Sequence, residues 1–201
     1  MKQGAGNLTL VANTPGYGRG PTPFRKTPPH YDDGGLLIQN GQVKKAICAF
    51  PGMNRPGVAA PLHEKFDSGE LEVEVVPQGT LAERIRAAKA GIAAFFIPTG
   101  AGTVFEEGKE TRVIDGRKNV LEYPLKADFA LIRAYKADRY GNMVYQGTSR
   151  NFNPVMAGAA RVTIAEVDEP VPLGNLDPEV IVTPGIYVDR VVVRSDHVKG
   201  V

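Results

Sequence analysis

Between Leu71 and Gly91 the hydrophobic pattern changes from a period of two to a helical period across a few residues. Leu71, Val73 and Val75 alternate with Glu72 and Glu74, as on a half-buried strand. Pro77-Gln78-Gly79 then makes a tight turn, after which Leu81, Ile85 and Ala88 fall on one helix face, with Arg84, Arg86 and Lys89 largely on the other. Thr80-Leu81-Ala82-Glu83 matches a capping box, in which the Thr80 hydroxyl accepts from the N3 amide and Glu83 reaches back to the N-cap amide. Gly91 is the stop signal. A strand that feeds a helix through so short a turn is the opening of a βαβ unit, and repetition of that unit builds a mostly parallel sheet covered by helices.

The rest of the chain carries the same alternation. Leu8–Ala12, Lys45–Phe50, Ile92–Ile97, Ala127–Ala134, Val162–Val167 and Ile186–Val193 read as strands, and Ala59–Phe66 and Pro154–Ala160 as helices. Ala127–Ala134 is nearly continuous in apolar residues, which predicts burial on both faces. Asp115-Gly116, flanked by Arg112–Ile114 and Asn119–Leu121, is a two-residue hairpin signal. Met1–Asn7 reads as a helix end, with Gly4 and Gly6 as stops, and residues 14–35, rich in Pro and Gly, predict a long mobile loop. The expected class is α/β: an open, mostly parallel sheet flanked by helices, with a small β-hairpin insertion, in one domain spanning residues 1–201. A chain of this length buries roughly 70% of its unfolded surface and needs no staple.

Charge and cysteine content narrow the function. Lys and Arg number 24 and Asp and Glu 22, a net +2 with the signs interspersed, whereas a duplex-binding face needs a clustered basic stripe. The apolar runs Ile92–Pro98 and Ala127–Ile132 fall far short of the ~20 residues that span a bilayer, and Met1-Lys2-Gln3-Gly4 opens no signal peptide, so a cytoplasmic location is expected, with no nucleic-acid or membrane partner. Cys48 has no cysteine to pair with, and one Cys with three His makes no zinc pattern, so no metal site is expected and the compartment is read as reducing.

In open α/β sheets ligands bind beyond the carboxyl ends of strands, against free amides at helix starts. Two turns qualify. Gln78 in Pro77-Gln78-Gly79-Thr80 offers a donor and an acceptor to a carboxylate or amide, although a turn that needs Gly79 only for geometry reads the same way. Pro98-Thr99-Gly100-Ala101-Gly102-Thr103 lacks the Lys of a phosphate-binding loop and the spacing of a dinucleotide fingerprint, and its glycines permit close backbone approach by a ligand. His30, His63 and His197 stand outside any nucleophile setting, and Cys48 lies inside an apolar strand as a packed thiol. Glu72 and Glu74 mark a solvated strand face, and Glu106, Glu107 and Glu110 read as neighbouring exposed acids. No complete catalytic constellation is visible.

Several strings taken together resemble a known family. Ser68–Glu74, Pro77–Arg86, Pro98–Thr103, Glu107–Glu110, Ala127–Ile132, Arg150-Asn151-Phe152-Asn153-Pro154 and Pro184–Val188 are similar to the A (alpha) subunit of the 3-oxoacid CoA-transferases, over nearly the whole stretch from Leu8 to Val193. The resemblance implies the CoA-transferase fold, of NagB/RpiA-like type. It also implies ping-pong transfer of CoA from succinyl-CoA or another acyl-CoA to a 3-oxoacid such as acetoacetate or 3-oxoadipate. The covalent carrier is a glutamate of a partner B subunit, set in Glu-Asn-Gly, in an A2B2 heterotetramer. No Glu-Asn-Gly occurs in this chain, so no catalytic residue is expected here. The CoA thioester is a substrate, and no permanently bound cofactor is implied. Carried over by motif, Asn13 and Gln78 approach that glutamate or the substrate carboxylate, with Gly79 in the same turn, and Thr99, Gly100, Gly102 and Thr103 approach acyl-CoA. The family continues after Asn13 with a second Asn, where this chain has Thr14. It also places a strand with a Gly-Gly-Phe loop ahead of the residue that is Met1 here. The expectation is therefore either a chain that natively starts earlier or a shortened, non-catalytic module with a structural or regulatory role.

Overall fold

The computed structural model describes residues 4–18, 33–52 and 60–194. The chain forms two compact units, Met1–Leu81 and Ala82–Val201.

In the first unit three strands, β1 (Leu8–Ala12), β2 (Val43–Cys48) and β3 (Glu72–Val75), form a parallel ladder in the order β1-β2-β3, with Val11 beside Ile47 and Ala46 beside Val73. β2 is central, and its Ala46, Ile47 and Cys48 are buried, as a strand inside a parallel ladder requires. Ile38, Val43, Ala46, Cys48, Leu62 and Leu71 form one core cluster. Two short helices contribute to it, α1 (Gly35–Gln39) and α2 (Pro61–Asp67), the second with Pro61 in its first turn, where a missing N–H costs nothing. Of the predicted helix, Ala59 lies outside the described residues. Glu72 and Glu74 do share a face, and both pair with Lys45, at 2.7 and 3.0 Å. The hydrogen bond that Lys45 donates to Glu72, then the one to Glu74, holds its ammonium above its ordinary range.

Residues 19–32 of the predicted mobile loop, His30 included, lie outside the described residues, and so does His197. The loop's two described ends are tied together. The Asp33 carboxylate accepts from the amides of Tyr17 at 2.9 Å, Gly18 at 2.7 Å and Gly35 at 3.0 Å. Of Met1–Asn7, read as a helix end, the first three residues lie outside the described ones; residues 4–7 are irregular, with Gly4 and Asn7 at φ of 58° and 54°.

A longer helix, α3 (Gln78–Ala90), starts at the end of the first unit. In the second unit β4 (Phe95–Ile97), β5 (Thr111–Ile114) and β6 (Arg117–Glu122) make an antiparallel sheet in the order β4-β6-β5. Its β5–β6 hairpin turns on Asp115 and Gly116, with φ of 48° and 73°, the double left-handed geometry that the Asp-Gly pair signals. The remaining strands, β7 (Ala127–Ala137), β8 (Met143–Val144), β9 (Ala160–Pro170) and β10 (Arg190–Val193), are ordered β10-β9-β7-β8. β10, β9 and β7 run parallel and β8 antiparallel. A last short helix, α4 (Asn153–Met156), is confined to the start of the predicted Pro154–Ala160. The predicted α/β class holds, and its parallel strands fall into two ladders, one in each unit.

Two predictions for this unit are corrected. β7 is not buried on both faces: Ala130, Ile132 and Ala134 are in the core, while Phe129 and Leu131, which alternate with them, are 64% and 72% exposed. The apolar run reflects two apolar faces of which one is covered. The predicted strand Ile186–Val193 begins instead as a 3-10 turn, Gly185–Tyr187, and pairs only from Arg190. Here Gly185 packs so closely on the Tyr140 carbonyl that a side chain in its place would clash with it. Among the described residues no helix is long and apolar enough to cross a membrane.

Cys48 is fully buried, and burial pushes its thiol pKa up. Ellman's reagent at mildly alkaline pH is expected to titrate no thiol in the native chain and one after denaturation, the labelling rate following global unfolding; fast native labelling would contradict this placement.

Candidate functional site

β1 ends at Ala12, and the next residue, Asn13, is fixed by its own carbonyl, which accepts from the amides of Ala49 at 3.2 Å and Phe50 at 2.9 Å, just beyond the end of β2. Beyond β3 the Val76 amide donates to the Cys48 carbonyl at 2.9 Å, which aims the chain into Pro77 and α3. Asn13 and Gln78, 65 residues apart in sequence, meet at this carboxyl edge: Gln78 Nε2 donates to Asn13 Oδ1 at 2.8 Å. That pairing leaves Gln78 Oε1 as an acceptor and Asn13 Nδ2 as a donor without a protein partner among the described residues. Gln78 and Gly79 are exposed, and the place a Cβ would take on Gly79 is open space. α3 starts at Gln78, and the partial positive charge of a helix start favours a carboxylate there.

The capping box is not formed. The Leu81 amide donates to the Pro77 carbonyl at 2.9 Å, so the helix starts three residues earlier than the box requires. Thr80 is therefore inside the first turn rather than capping it. It is fully buried, and among the described residues its hydroxyl has no partner. Glu83 pairs with Arg86 at 2.9 Å instead of reaching back to the cap.

The second glycine turn follows β4 in the other unit and holds Thr99, Gly100, Gly102 and Thr103 together. Gly100 and Gly102 have φ of 87° and 77°, conformations that a side chain resists. The Ala101 amide donates to the Pro98 carbonyl and the Thr103 amide to the Gly100 carbonyl, each at 3.2 Å. Thr103 Oγ1 donates to the Gly100 carbonyl at 2.7 Å and accepts from the Phe105 amide at 3.2 Å, capping the 3-10 turn Val104–Glu106. Thr99 is exposed.

Glu106 is not the solvated acid its neighbourhood predicts. The Gly102 amide donates to its Oε2 at 2.5 Å, and Lys118 Nζ donates to its Oε1 at 2.6 Å. The Gly102 amide and then Lys118 hold its carboxyl below the usual range. Nothing in the local pattern marks Glu106 off from Glu107, because the partner that distinguishes it lies across a hairpin. Glu110 pairs with Arg112 at 2.8 Å. His63 Nε2 lies 3.4 Å from the Gly52 carbonyl, and among the described residues no group of three or more His, Cys, Asp or Glu could hold a metal. The described chemistry is neutral amides, a helix start and a glycine turn, which bind and orient but supply no nucleophile or general base.

A fold of parallel ladders with polar, unreactive groups at one carboxyl edge describes a ligand-binding α/β protein, and the relatives specify which. The profile of the Coenzyme A transferase family matches residues 1–194. The A subunit of the 3-oxoadipate CoA-transferase of Pseudomonas putida is 52% identical over 194 residues, covering 96% of this chain and 77% of that protein. The alpha subunit of the acetate CoA-transferase of Escherichia coli is 44% identical over 197 residues, covering 98% of this chain and 81% of that one. The crystal structure of glutaconate coenzyme A-transferase from Acidaminococcus fermentans shares the fold, with a TM-score of 0.74 at 22% identity over 95% of this chain, which spans 63% of that one. This chain belongs to the coenzyme A transferase family.

The orphan hydroxyl makes a prediction. Thr80→Val keeps shape and removes a buried group that has lost its water, so it is expected to raise the unfolding free energy by about 1–3 kcal/mol in denaturant titration. A loss of stability would show that the hydroxyl has a partner.

Proposed function

We propose that the chain is the A subunit of a CoA-transferase that passes CoA from succinyl-CoA or another acyl-CoA to a 3-oxoacid such as acetoacetate or 3-oxoadipate, working as one wall of a site completed by a B subunit. The observation that carries this reading is the Gln78–Asn13 hydrogen bond at 2.8 Å, which presents one amide donor and one amide acceptor at the carboxyl edge of the ladder with no nucleophile beside them. Two neutral amides neither take a proton nor attack a thioester, which suits a covalent step carried out by a group of the partner subunit. A glutamate of the B subunit, in its Glu-Asn-Gly setting, supplies it: the carboxylate exchanges with the thioester, a glutamyl-CoA thioester forms, and the incoming acid takes the CoA. The exchange is thereby split into two easier steps. Asn13 Nδ2 and the start of α3 suit the negative charge that moves between carboxylate and carbonyl oxygen, because donors fixed in advance need not reorganise as charge develops.

The acids named for the relatives, 3-oxoadipate and acetate, support a short carboxylic acid as acceptor. Their designation as A and alpha subunits supports a B partner, for which the arrangement proposed is A2B2. The 52% identity to one of these transferase subunits favours this reading over a non-catalytic module. In the second unit Gly100 and Gly102, with Thr99 and Thr103, approach the acyl-CoA.

Gln78→Ala, co-expressed with the B subunit, is expected to lower kcat by roughly a hundredfold, about 3 kcal/mol, while assembly of the complex by size-exclusion chromatography is unchanged. Wild-type turnover would sink the assignment. Gly102→Val is expected to weaken acyl-CoA binding measured by calorimetry, and unchanged affinity would remove the glycine turn from the site.

A further inference from the structure

We infer that Glu106 is a positioning residue for the acyl-CoA turn, held in place by Lys118 of the β5–β6 hairpin, and that Gly102 serves the ligand through its missing side chain and not through its amide. This rests on the reading of Pro98–Thr103 as an acyl-CoA contact.

The turn is closed from within. Ala101 and Thr103 donate to the Pro98 and Gly100 carbonyls, and the Gly102 amide is taken by Glu106. Three consecutive amides are thus occupied, so a ligand arriving there meets glycine Cα surface and the open space beside Gly102. Glu106 could not hold Gly102 unless it were itself held. Its other oxygen takes Lys118, on the strand that pairs with β4, the strand that delivers the turn: Ile97 lies beside Val120, two residues from Lys118. Side chains two apart on a strand share a face, so Lys118, Val120 and Glu122 line one side of β6. Val120 and Glu122 are buried, and Lys109 donates to Glu122 at 2.6 Å. The segment between the turn and β5 is therefore stapled across β6 by two ion pairs of opposite sense, an acid of the segment to Lys118 and a lysine of the segment to Glu122. The hairpin is the arm that carries these anchors. With its charge spent on Lys118 and the Gly102 amide, Glu106 suits an uncharged stretch of the ligand, the acyl or pantetheine chain, passing over the turn, and disfavours a phosphate.

Ping-pong kinetics report a separate KM for each substrate, which isolates the effect. With the B subunit present, Glu106→Ala is expected to raise KM for acyl-CoA roughly tenfold, the loss of a charge-assisted hydrogen bond, while KM for the acceptor acid stays about the same. Glu106→Gln, which still accepts from Gly102, is expected to recover part of the loss. Lys118→Met is expected to raise KM for acyl-CoA in the wild-type background and to add nothing in Glu106→Ala. Independently of activity, the Gly102 amide resonance is expected to titrate only below the ordinary glutamate range, since a depressed carboxyl keeps its contact until pH falls through the lowered value, and not to titrate in Glu106→Gln. If Gly102→Val raises KM for acyl-CoA and Glu106→Ala does not, or if Glu106→Ala raises both KM values alike, Glu106 has no positioning role. If Gly102→Val also leaves acyl-CoA binding unchanged, the reading of the turn fails and this inference with it.

Discussion

Parallel pairing forces every strand of a ladder to end at the same edge, and in the first unit that constraint decides where chemistry can occur. β1, β2 and β3 run side by side, so the chain leaves β1 at Asn13, β2 at Ala49 and β3 at Val76 on one rim. The backbone bonds there, from Ala49 and Phe50 to the Asn13 carbonyl and from Val76 to the Cys48 carbonyl, lock the exits together before any side chain is considered. Gln78 and Asn13 meet because they are the first flexible polar side chains past that rim. An antiparallel arrangement of the same strands would put their exits at opposite ends.

The groups gathered at the rim fit the proposed role of one wall of a site shared with a B subunit. Amides and a helix start stabilise charge but cannot create a covalent intermediate, so in the proposed reading they orient a reaction whose nucleophile the B subunit supplies. The glycine turn of the second unit is built by different physics. It depends on ion pairs across a hairpin, Lys118 to Glu106 and Lys109 to Glu122, rather than on strand exits. Partly exposed pairs are worth little as stability, so their value lies in geometry.

Much of this was legible from the residues alone. The change of period between Leu71 and Leu81 located a strand, a turn and a helix, and Asp115-Gly116 located the hairpin, because both depend on local backbone preferences. Gln78 is marked by its strand-to-helix turn and Asn13 by family motif alone, while their mutual contact comes only from the ladder's register. The capping box failed because the Pro77 carbonyl closed the helix first, a competition the four-residue pattern does not contain. β7 misled because continuous apolar residues do not tell which face finds a cover, and Phe129 and Leu131 did not. Glu106 was invisible for a related reason: its partners are a backbone amide four residues back and a lysine on another strand, and composition treats it as Glu107's equal.

The division of labour between this chain and a B subunit is tested most directly by intact mass spectrometry of the chain and everything that co-purifies with it, after incubation with an acyl-CoA donor under conditions that preserve thioesters. A CoA-sized adduct on a second, co-purifying chain is the predicted result. The same adduct on this chain would place the nucleophile among its own residues and contradict the account.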